Sequence, residues 1–272
     1  MGDWTPRDRR FSELGLRLMS AAILIPAALA MVWFGGWFLA VGCSIFAAAM
    51  AREWSAISAF PRGWSMAAAT ALFCLSLPLG IFWLSGLVLA GGLVFCAASA
   101  PGGAPERGMA VFGLIYVTAM AAGLFFLREG DWDGRSAALY FMSFVWASDA
   151  AAYFTGRGLG GPRLLPKESP NKTWSGAIGA VTACAFCGLA VADIQMVSFA
   201  AWIAAGIAIS ICAQIGDLFE SGLKRRFKVK DAGTLLPGHG GVLDRVDGLG
   251  AVCIFGSLAL YAIPGIADAL GL

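Results

Sequence analysis

One stretch of the sequence, residues 221–247, holds most of the side chains that can bind a charged substrate. It contains six Lys and Arg residues, three Asp residues and the only His of the chain, whereas the flanking sequence is almost entirely apolar. Carboxylates bind hard metal ions and cations bind phosphate, so this composition suits a metal-bound polyphosphate. A polar segment between two apolar stretches of membrane-spanning length predicts a site at one surface of a membrane protein.

Three aspartates are the candidate metal ligands and catalytic residues. Asp244 and Asp247 are three residues apart at the predicted start of the last helix, which places both carboxylates on one face. Asp217, at the end of the preceding apolar run, can supply a third carboxylate from a neighbouring helix. A small set of oxygen ligands that leaves positions for water and phosphate favours Mg²⁺ over Zn²⁺. The sequence leaves open whether a second cation binds between the carboxylates. An equal alternative is that these aspartates bind no metal and only form ion pairs with nearby Lys and Arg.

The cations of the same stretch are the candidate phosphate ligands, because Arg can bind phosphate with two hydrogen bonds and Lys acts as a point charge. We assign catalytic function to Lys224 and Arg225, and substrate binding to Lys230 and Arg245, since all four alternate with carboxylates or lead into a Gly-rich turn. The two other cations, Arg226 and Lys228, are more typical of a juxtamembrane contact with anionic lipid.

The Gly-rich turn, residues 238–241, lies between the cations and the aspartate pair. Glycine lets the backbone approach a phosphate closely, so the N–H groups of Gly240 and Gly241 are predicted to bind substrate just before a helix N-terminus. His239 is predicted to donate a hydrogen bond to a phosphate, with a purely structural His as the equal alternative.

A second polar loop, residues 156–174, repeats this pattern before another apolar run. Ser169 is predicted to cap the helix that follows, and Lys172 and Thr173 to bind an anion at its N-terminus, so all three are candidate substrate-binding residues. Asp149, near the end of the apolar run before the loop, is predicted either to join the metal site or to hold a basic residue.

The elements that must position these residues are membrane helices. Hydrophobic residues make up 59% of the 272 and charged residues 13%, which would leave a soluble globule with too little polar surface. Because a span needs about 20 apolar residues, hydropathy predicts an all-α polytopic protein with nine transmembrane helices. They lie near residues 18–34, 37–51, 64–79, 81–100, 109–127, 136–155, 175–192, 196–219 and 248–270.

The distribution of cations predicts the orientation of these helices. With nine spans and a cytoplasmic N-terminus, all of the 19 Lys and Arg residues except Arg128 and Arg135 fall on the cytoplasmic side. Cytoplasmic loops carry an excess of Lys and Arg, so this asymmetry favours both the span count and the orientation. The predicted site then lies at the cytoplasmic ends of the C-terminal helices.

Charge density divides the chain into two regions. Residues 1–144 carry few polar residues outside their loops and are interpreted as scaffold helices, and residues 145–272 as a catalytic region with cytoplasmic loops 156–174 and 220–247. Ionisable groups in or near spans are costly, so those of the second region are expected to face a cavity or a partner. All seven Cys residues lie in apolar runs, and no disulfide is predicted.

Two segments resemble the signature of the phosphatidate cytidylyltransferases, also called CDP-diacylglycerol synthases. The first reads Ser221-x-Leu223-Lys224-Arg225, then after four residues Lys230-Asp231-x-Gly233, then Leu236-Pro237-x-His239-Gly240-Gly241-Val242-x-Asp244-Arg245-Val246-Asp247. The second reads Ser148-Asp149…Tyr153-Phe154…Gly156-Arg157…Ser169-Pro170-x-Lys172-Thr173-Trp174. The resemblance covers residues 145–250 strongly and the earlier spans by hydropathy alone.

The second segment departs from the family pattern at four positions. The family usually has Phe where Leu159 stands, Lys where Gly161 and Asn171 stand, and Glu where Ser175 stands. The loss of two cations and one acid leaves open what this loop contributes to nucleotide binding. The first segment keeps the pattern.

The resemblance implies an integral membrane enzyme of phospholipid biosynthesis that makes CDP-diacylglycerol and pyrophosphate from CTP and phosphatidic acid. It implies Mg²⁺ bound by acidic residues, for which Asp217, Asp244 and Asp247 match the positions, and a homodimer. The expected surroundings are the lipids of a bacterial inner membrane, with the site facing the cytoplasm and no nucleic-acid partner.

The side chains favour a mechanism without a protein general base. A phosphomonoester has a second pKa of about 6, so an ionised oxygen of phosphatidic acid can attack the α-phosphorus of CTP as pyrophosphate leaves. Positioning and charge neutralisation then carry the catalysis. One alternative is a CTP-dependent kinase of a polyprenol-type lipid, in which a hydroxyl attacks the γ-phosphorus. A transporter of an anionic metabolite is disfavoured, because the charges cluster at one face rather than at the midplane.

Overall fold

The computed structural model describes residues 6–236 and 240–272, with residues 6–14, 17 and 18 described by their backbone alone. Within these ranges the chain is almost entirely helical, which confirms the all-α class. The helices are α1 (Pro6–Phe34), α2 (Gly36–Ile57), α3 (Gly63–Ser76), α4 (Phe82–Ser99), α5 (Ala104–Glu129), α6 (Gly134–Leu159), α7 (Trp174–Gln195), α8 (Phe199–Arg226), α9 (Leu243–Ala262) and α10 (Ile266–Leu270). A single-turn 3₁₀ helix, Leu77–Leu79, follows α3, and two short strands, β1 (Arg163–Leu165) and β2 (Ser169–Thr173), lie between α6 and α7.

Five of these helices are long and apolar enough to cross a membrane: α4, α5, α7, α8 and α9. This establishes an all-α membrane protein by length and composition. Each of the nine predicted spans overlaps one of the helices α1 to α9, and the third also takes in the turn after α3. The ninth, predicted as one span over 248–270, is wrong in its extent, because α9 ends at Ala262 and a separate short helix, α10, follows it. The count of nine spans stays a prediction, because five helices have the length and apolarity of a span and α3 has only 14 residues. The orientation also stays a prediction.

Helix α9 lies between the two regions of the chain, with α5 on one side and α8 on the other. Glycines allow these close approaches: a Cβ on Gly123 of α5 would lie 2.8 Å from the backbone carbonyl carbon of Cys253. On the other side, a Cβ on Gly216 of α8 would lie 2.7 Å from the Asp247 carbonyl oxygen. Helix α8 therefore touches α9 beside Asp217, which brings two of the predicted site residues together.

Polar side chains inside the second region bind neighbouring helices. The Ser148 hydroxyl of α6 lies 2.9 Å from that of Ser210 on α8, and Gln214 Nε2 donates to the Ser210 hydroxyl at 3.2 Å. In an apolar surrounding such groups need internal partners. All seven cysteines are free thiols, which confirms the prediction of no disulfide.

The end of α5 holds the sharp turn between α1 and α2. Arg128 Nε donates to the Val32 carbonyl oxygen at 2.6 Å, in the last turn of α1, and Glu129 Oε1 accepts from the Gly36 N–H at 2.8 Å, at the first residue of α2. A cation thus lies at the C-terminal, carbonyl end of α1, and an anion lies at the N-terminal, N–H end of α2. Both charges interact favourably with the helix dipoles. This arrangement fixes α1 and α2 relative to α5.

Replacement Arg128→Met is expected to lower the free energy of unfolding by about 1–3 kcal/mol, the usual range for a hydrogen bond from a charged group. The Arg128 side chain is 14% exposed, so water replaces the lost contact poorly. Thermal unfolding in detergent measures the effect. The control is Arg135→Met, an exposed cation stacked 4.9 Å above the Trp33 ring, which is expected to cost about 0.5–1 kcal/mol. Equal stability of the two variants would contradict this account of the turn.

Candidate active site

The loop between α6 and α7 folds into a small antiparallel hairpin of β1 and β2, with Arg163 opposite Thr173. Thr173 Oγ1 accepts from the Gly176 N–H at 3.1 Å and caps α7. The prediction that Ser169 caps this helix is therefore wrong: Ser169 begins β2, five positions before the first helical residue, and a cap must directly precede it. The Thr173 side chain is buried, so its hydroxyl serves the helix.

Two further features of this loop bear on the departures from the family pattern. Ser175 donates a hydrogen bond to the Gly160 carbonyl oxygen and lies 3.0 Å from the Thr173 hydroxyl. A short polar residue at this position thus closes the loop onto the start of α7. Gly160 and Gly161 have φ angles of +63° and +107°, values that favour glycine over a residue with a side chain. The Lys that the family usually has at position 161 would be strained in this backbone.

Strand β2 brings Lys172 to α8, where its ammonium group forms an ion pair with Asp217 Oδ2. The other oxygen of Asp217 lies 3.5 Å from the Ser221 hydroxyl, one turn further along α8. Asp149 of α6 lies within electrostatic range of Asp217, Lys172 and Arg245, which joins the second loop to the first. Three of the predicted residues from separate parts of the sequence therefore meet here.

Helix α8 continues to Arg226, so the predicted start of the loop at residue 220 is wrong. The charged residues Glu220 and Lys224 are four positions apart on this extension, and Lys224 Nζ lies 3.1 Å from Glu220 Oε1. A Glu placed four residues before a Lys supports helix formation, which explains why the helix extends beyond the apolar run. Glu220 is 1% exposed, and apart from this ion pair neither of its carboxylate oxygens has a hydrogen-bond partner in the described part of the chain.

Asp244, in the first turn of α9, organises the segment before it. Its Oδ1 accepts from Lys224 Nζ at 2.6 Å, and its Oδ2 accepts from the N–H groups of Ala232 at 2.9 Å and Gly241 at 3.0 Å. The Asp244 side chain is 5% exposed. This carboxylate is occupied by one ammonium group and two backbone donors.

Asp247 lies one turn further along α9 and is partly exposed. Its Oδ1 accepts from the Gly248 N–H at 2.8 Å, and the carboxylate is within electrostatic range of Asp217, Lys224 and Lys172. The start of α9 at Leu243 confirms that this helix opens with the aspartate pair. The structure, however, turns Asp244 toward Lys224 and places Asp247 closer to the charges around Asp217.

The charges at the centre of the site do not balance. Among the described residues it holds four carboxylates and two ammonium groups: Asp217, Glu220, Asp244, Asp247, Lys172 and Lys224. An excess of negative charge, of which Glu220 and Asp244 are buried, with an oxygen donor set suits a divalent cation such as Mg²⁺. Within residues 6–236 and 240–272, no three acidic, His or Cys side chains are close enough together to hold a metal ion in this arrangement. Of the three predicted ligands, Asp244 is the most fully engaged, by one ammonium group and two backbone N–H groups, and metal binding by these aspartates stays a prediction.

Gly240 and Gly241, the two described glycines of the Gly-rich turn, use their N–H groups within the protein. The Gly240 N–H donates to the Leu236 carbonyl oxygen at 3.1 Å, and the Gly241 N–H to Asp244 as described above. Gly240 has a φ of +86°, which a residue with a side chain rarely adopts. In this structure the glycines shape the turn, and phosphate binding by their N–H groups stays a prediction. His239, with Pro237 and Gly238, lies outside the described residues.

The remaining predicted cations lie at the rim of the site. Arg225 Nε donates to the Glu168 carbonyl oxygen at 3.3 Å and its Nη1 to the Val229 carbonyl oxygen at 3.4 Å, so this side chain joins the two polar loops. Lys230 and Arg245 are exposed. Exposed cations around a buried acidic centre are suited to attract a polyphosphate from solution.

Sequence reasoning missed two residues of the first region that reach the site. Glu53 of α2 is 4% exposed and accepts from the N–H groups of Val242 at 2.9 Å and Leu243 at 2.8 Å, at the start of α9. Tyr116 of α5 lies within electrostatic range of Glu220 and Asp247. The available signal was weak: an acidic residue at the end of an apolar run resembles an ordinary loop charge.

Comparison with known proteins gives a consistent picture. The profile of the Cytidylyltransferase family matches residues 15–263. A phosphatidate cytidylyltransferase from Brucella suis biovar 1 (strain 1330) is 40% identical over 276 residues, which cover 95% of this chain and 98% of the relative, and one from Brucella abortus (strain 2308) matches to the same extent. A phosphatidate cytidylyltransferase from Staphylococcus aureus (strain COL) is 43% identical over 144 residues, which cover 51% of this chain and 54% of the relative.

Proposed function

The chain belongs to the cytidylyltransferase family, and from this premise we propose that it transfers the cytidylyl group of CTP to phosphatidic acid. The products are CDP-diacylglycerol and pyrophosphate, and the reaction belongs to phospholipid biosynthesis. The supporting observation is the partly buried acidic centre between α8 and α9, in which Lys172 of β2 and Lys224 of α8 pair with carboxylates. A site of this composition suits a polyphosphate bound with a metal ion.

The reaction forms one P–O bond and breaks another. An ionised oxygen of the phosphatidic acid phosphate attacks the α-phosphorus of CTP. The bond from that phosphorus to the oxygen that bridges the α and β phosphates breaks, and this oxygen leaves with the pyrophosphate. The nucleophile is already largely ionised at neutral pH, since its second pKa is about 6. The site accordingly needs to orient two anions and to neutralise their charge, and none of its side chains has to remove a proton.

Individual residues divide these tasks. Asp217 and Asp247 would hold Mg²⁺, which supplies charge neutralisation for the triphosphate when bound. Lys172, now paired with Asp217 and partly exposed, would contact a phosphate of the bound substrate. Lys224 is held by Glu220 and Asp244 and keeps the carboxylates of α8 and α9 together. Arg225, Lys230 and Arg245 at the rim favour the approach of CTP.

We further propose the finer arrangement in the membrane. Nine spans with a cytoplasmic N-terminus would place the site at the cytoplasmic surface of a bacterial inner membrane, where CTP is available. The lipid phosphate would enter between helices while its acyl chains stay in the bilayer. A homodimer is expected, and chemical crosslinking in native membranes would test it.

The proposed function is tested with purified protein in detergent, Mg²⁺, phosphatidic acid and CTP labelled at the α or the γ phosphate. Cytidylyl transfer puts the α label into the lipid product and the γ label into pyrophosphate, and both need Mg²⁺ and the lipid. Addition of EDTA is expected to abolish both. A γ label that appears in the lipid when a polyprenol is supplied would identify a lipid kinase instead. Metal-independent uptake of an anion into vesicles without CTP turnover would identify a transporter.

A further inference from the structure

The carboxylate of Glu53 joins the first region of the chain to the start of α9. It accepts two backbone hydrogen bonds, from the Val242 N–H at 2.9 Å and from the Leu243 N–H at 2.8 Å, although these residues lie 189 and 190 positions away in the sequence. Both donors belong to the first turn of a helix, where N–H groups have no partner within the helix itself. A buried anion at that position also matches the helix dipole.

The segment before α9 is packed directly onto the same carboxylate. A Cβ on Gly233 would lie 2.6 Å from Glu53 Oε1, and a Cβ on Gly241 would lie 2.8 Å from Glu53 Oε2. A side chain at either position would force the Glu53 carboxylate to move, so the backbone of this segment lies close to Glu53 at two points. The carboxylate thereby fixes the path of the chain into Asp244.

Helix α2 is itself well anchored at this point. Trp54, the next residue, is fully buried, and its Nε1 donates to the Met109 carbonyl oxygen of α5 at 3.2 Å. The Trp54 ring also meets the Phe227 ring, just after α8, at a centroid distance of 5.6 Å. Glu53 is consequently held in place by the packing of Trp54, so its carboxylate can fix the position of the start of α9.

We propose that Glu53 is a positioning residue for cytidylyl transfer. It sets the orientation of the first turn of α9, and through it the directions of Asp244 and Asp247, without touching either substrate. The expected effect of Glu53 on kcat and KM rests on the proposed function, whereas its hold on the start of α9 does not. It also gives the first region a part in the site, because the catalytic carboxylates depend on α2 for their placement.

The test is Glu53→Gln in the full chain. Gln keeps the size of the side chain but offers one acceptor oxygen and one NH₂ donor, so one of the two N–H groups of α9 then faces a donor. We expect kcat to fall by about 10-fold or more and KM for CTP to rise about fivefold, as is common when a group that orients metal ligands is changed. Hydrogen exchange at the amides of Val242 and Leu243 is expected to be faster than in the unchanged protein.

The matched control is Glu129→Gln. Glu129 likewise accepts an N–H at the start of another helix, from Gly36 at 2.8 Å, but at the turn between α1 and α2. This control is expected to change neither KM for CTP nor exchange at Val242 and Leu243. An unchanged kcat and KM in Glu53→Gln would overturn the inference. So would a loss of kcat that only follows the loss of folded protein, with KM and exchange unchanged.

The same experiment separates this inference from the proposed function. If the unchanged protein does not turn over CTP with phosphatidic acid, the proposed function fails. Hydrogen exchange would still show whether Glu53 holds the start of α9. If the unchanged protein is active and the two variants behave alike, the positioning by Glu53 fails and the proposed function stands.

Discussion

Replacement Asp247→Asn is expected to lower kcat for CDP-diacylglycerol formation by about 100-fold or more while the protein stays folded. Asn has nearly the same shape and can still accept the Gly248 N–H that Asp247 Oδ1 accepts at 2.8 Å. It removes one negative charge from the side of the acidic centre that faces Asp217. Loss of one group that stabilises developing charge typically costs about 100-fold to 1,000-fold in kcat.

The measurement is release of pyrophosphate from CTP with Mg²⁺ and phosphatidic acid, together with the melting temperature in detergent. The control is Asp193→Asn, an exposed acid near the opposite end of α7 from the site, which is expected to have normal activity. Normal activity of Asp247→Asn would place the metal elsewhere. A folded variant whose activity recovers at higher Mg²⁺ concentration would instead support Asp247 as a ligand.

The sequence could predict the helices because a membrane span has a local signature. A run of about 20 apolar residues must satisfy its backbone internally, so the run itself determines a helix. The start of α9 was equally readable, since acidic residues before an apolar run favour a helix N-terminus. The end of α8 was not, because Glu220 and Lys224 extend the helix by an ion pair that hydropathy does not register.

The site was predicted less completely, since its geometry depends on contacts between distant parts of the chain. The residue types near Asp217 and Asp247 could be read from the sequence, but the direction of Asp244 depends on Lys224 and on two backbone N–H groups. The contact of Glu53 with α9 has no local signature at all. Hydrogen bonds between residues so far apart in the sequence depend on how the helices pack. The hydrophobic periodicity of the sequence carries no information about that packing.

Packing also explains why the resemblance to the family signature did not determine the role of each residue in it. The glycines of the Gly-rich turn match the family signature, yet the N–H of Gly241 is bonded to Asp244 in this structure. Gly241 has a second reason to be glycine, namely the contact with Glu53. A glycine of the family signature can thus serve the packing that holds the carboxylates as much as direct contact with a phosphate.

Replacement Lys224→Met is expected to destabilise the protein more than any other single change in the site. The Lys224 ammonium group lies 3.1 Å from Glu220 Oε1 and 2.6 Å from Asp244 Oδ1, and the two carboxylates are 1% and 5% exposed. Removal of one partner from a buried ion pair leaves an uncompensated charge and typically costs about 3–5 kcal/mol. The melting temperature in detergent is expected to fall by about 10 °C, and activity is expected to be lost.

A second change separates the loss of charge balance from the loss of packing. Glu220→Gln in the Lys224→Met background removes one of the two uncompensated charges, so it is expected to restore part of the melting temperature, whereas the two effects would simply add if the residues were independent. Lys228→Met removes the same charge from an exposed position of the next loop and is expected to leave stability unchanged. If Lys224→Met were as stable as Lys228→Met, the lysine would not hold the carboxylates of α8 and α9 together. The excess negative charge would then have to be balanced from elsewhere, and a bound cation would be the first candidate.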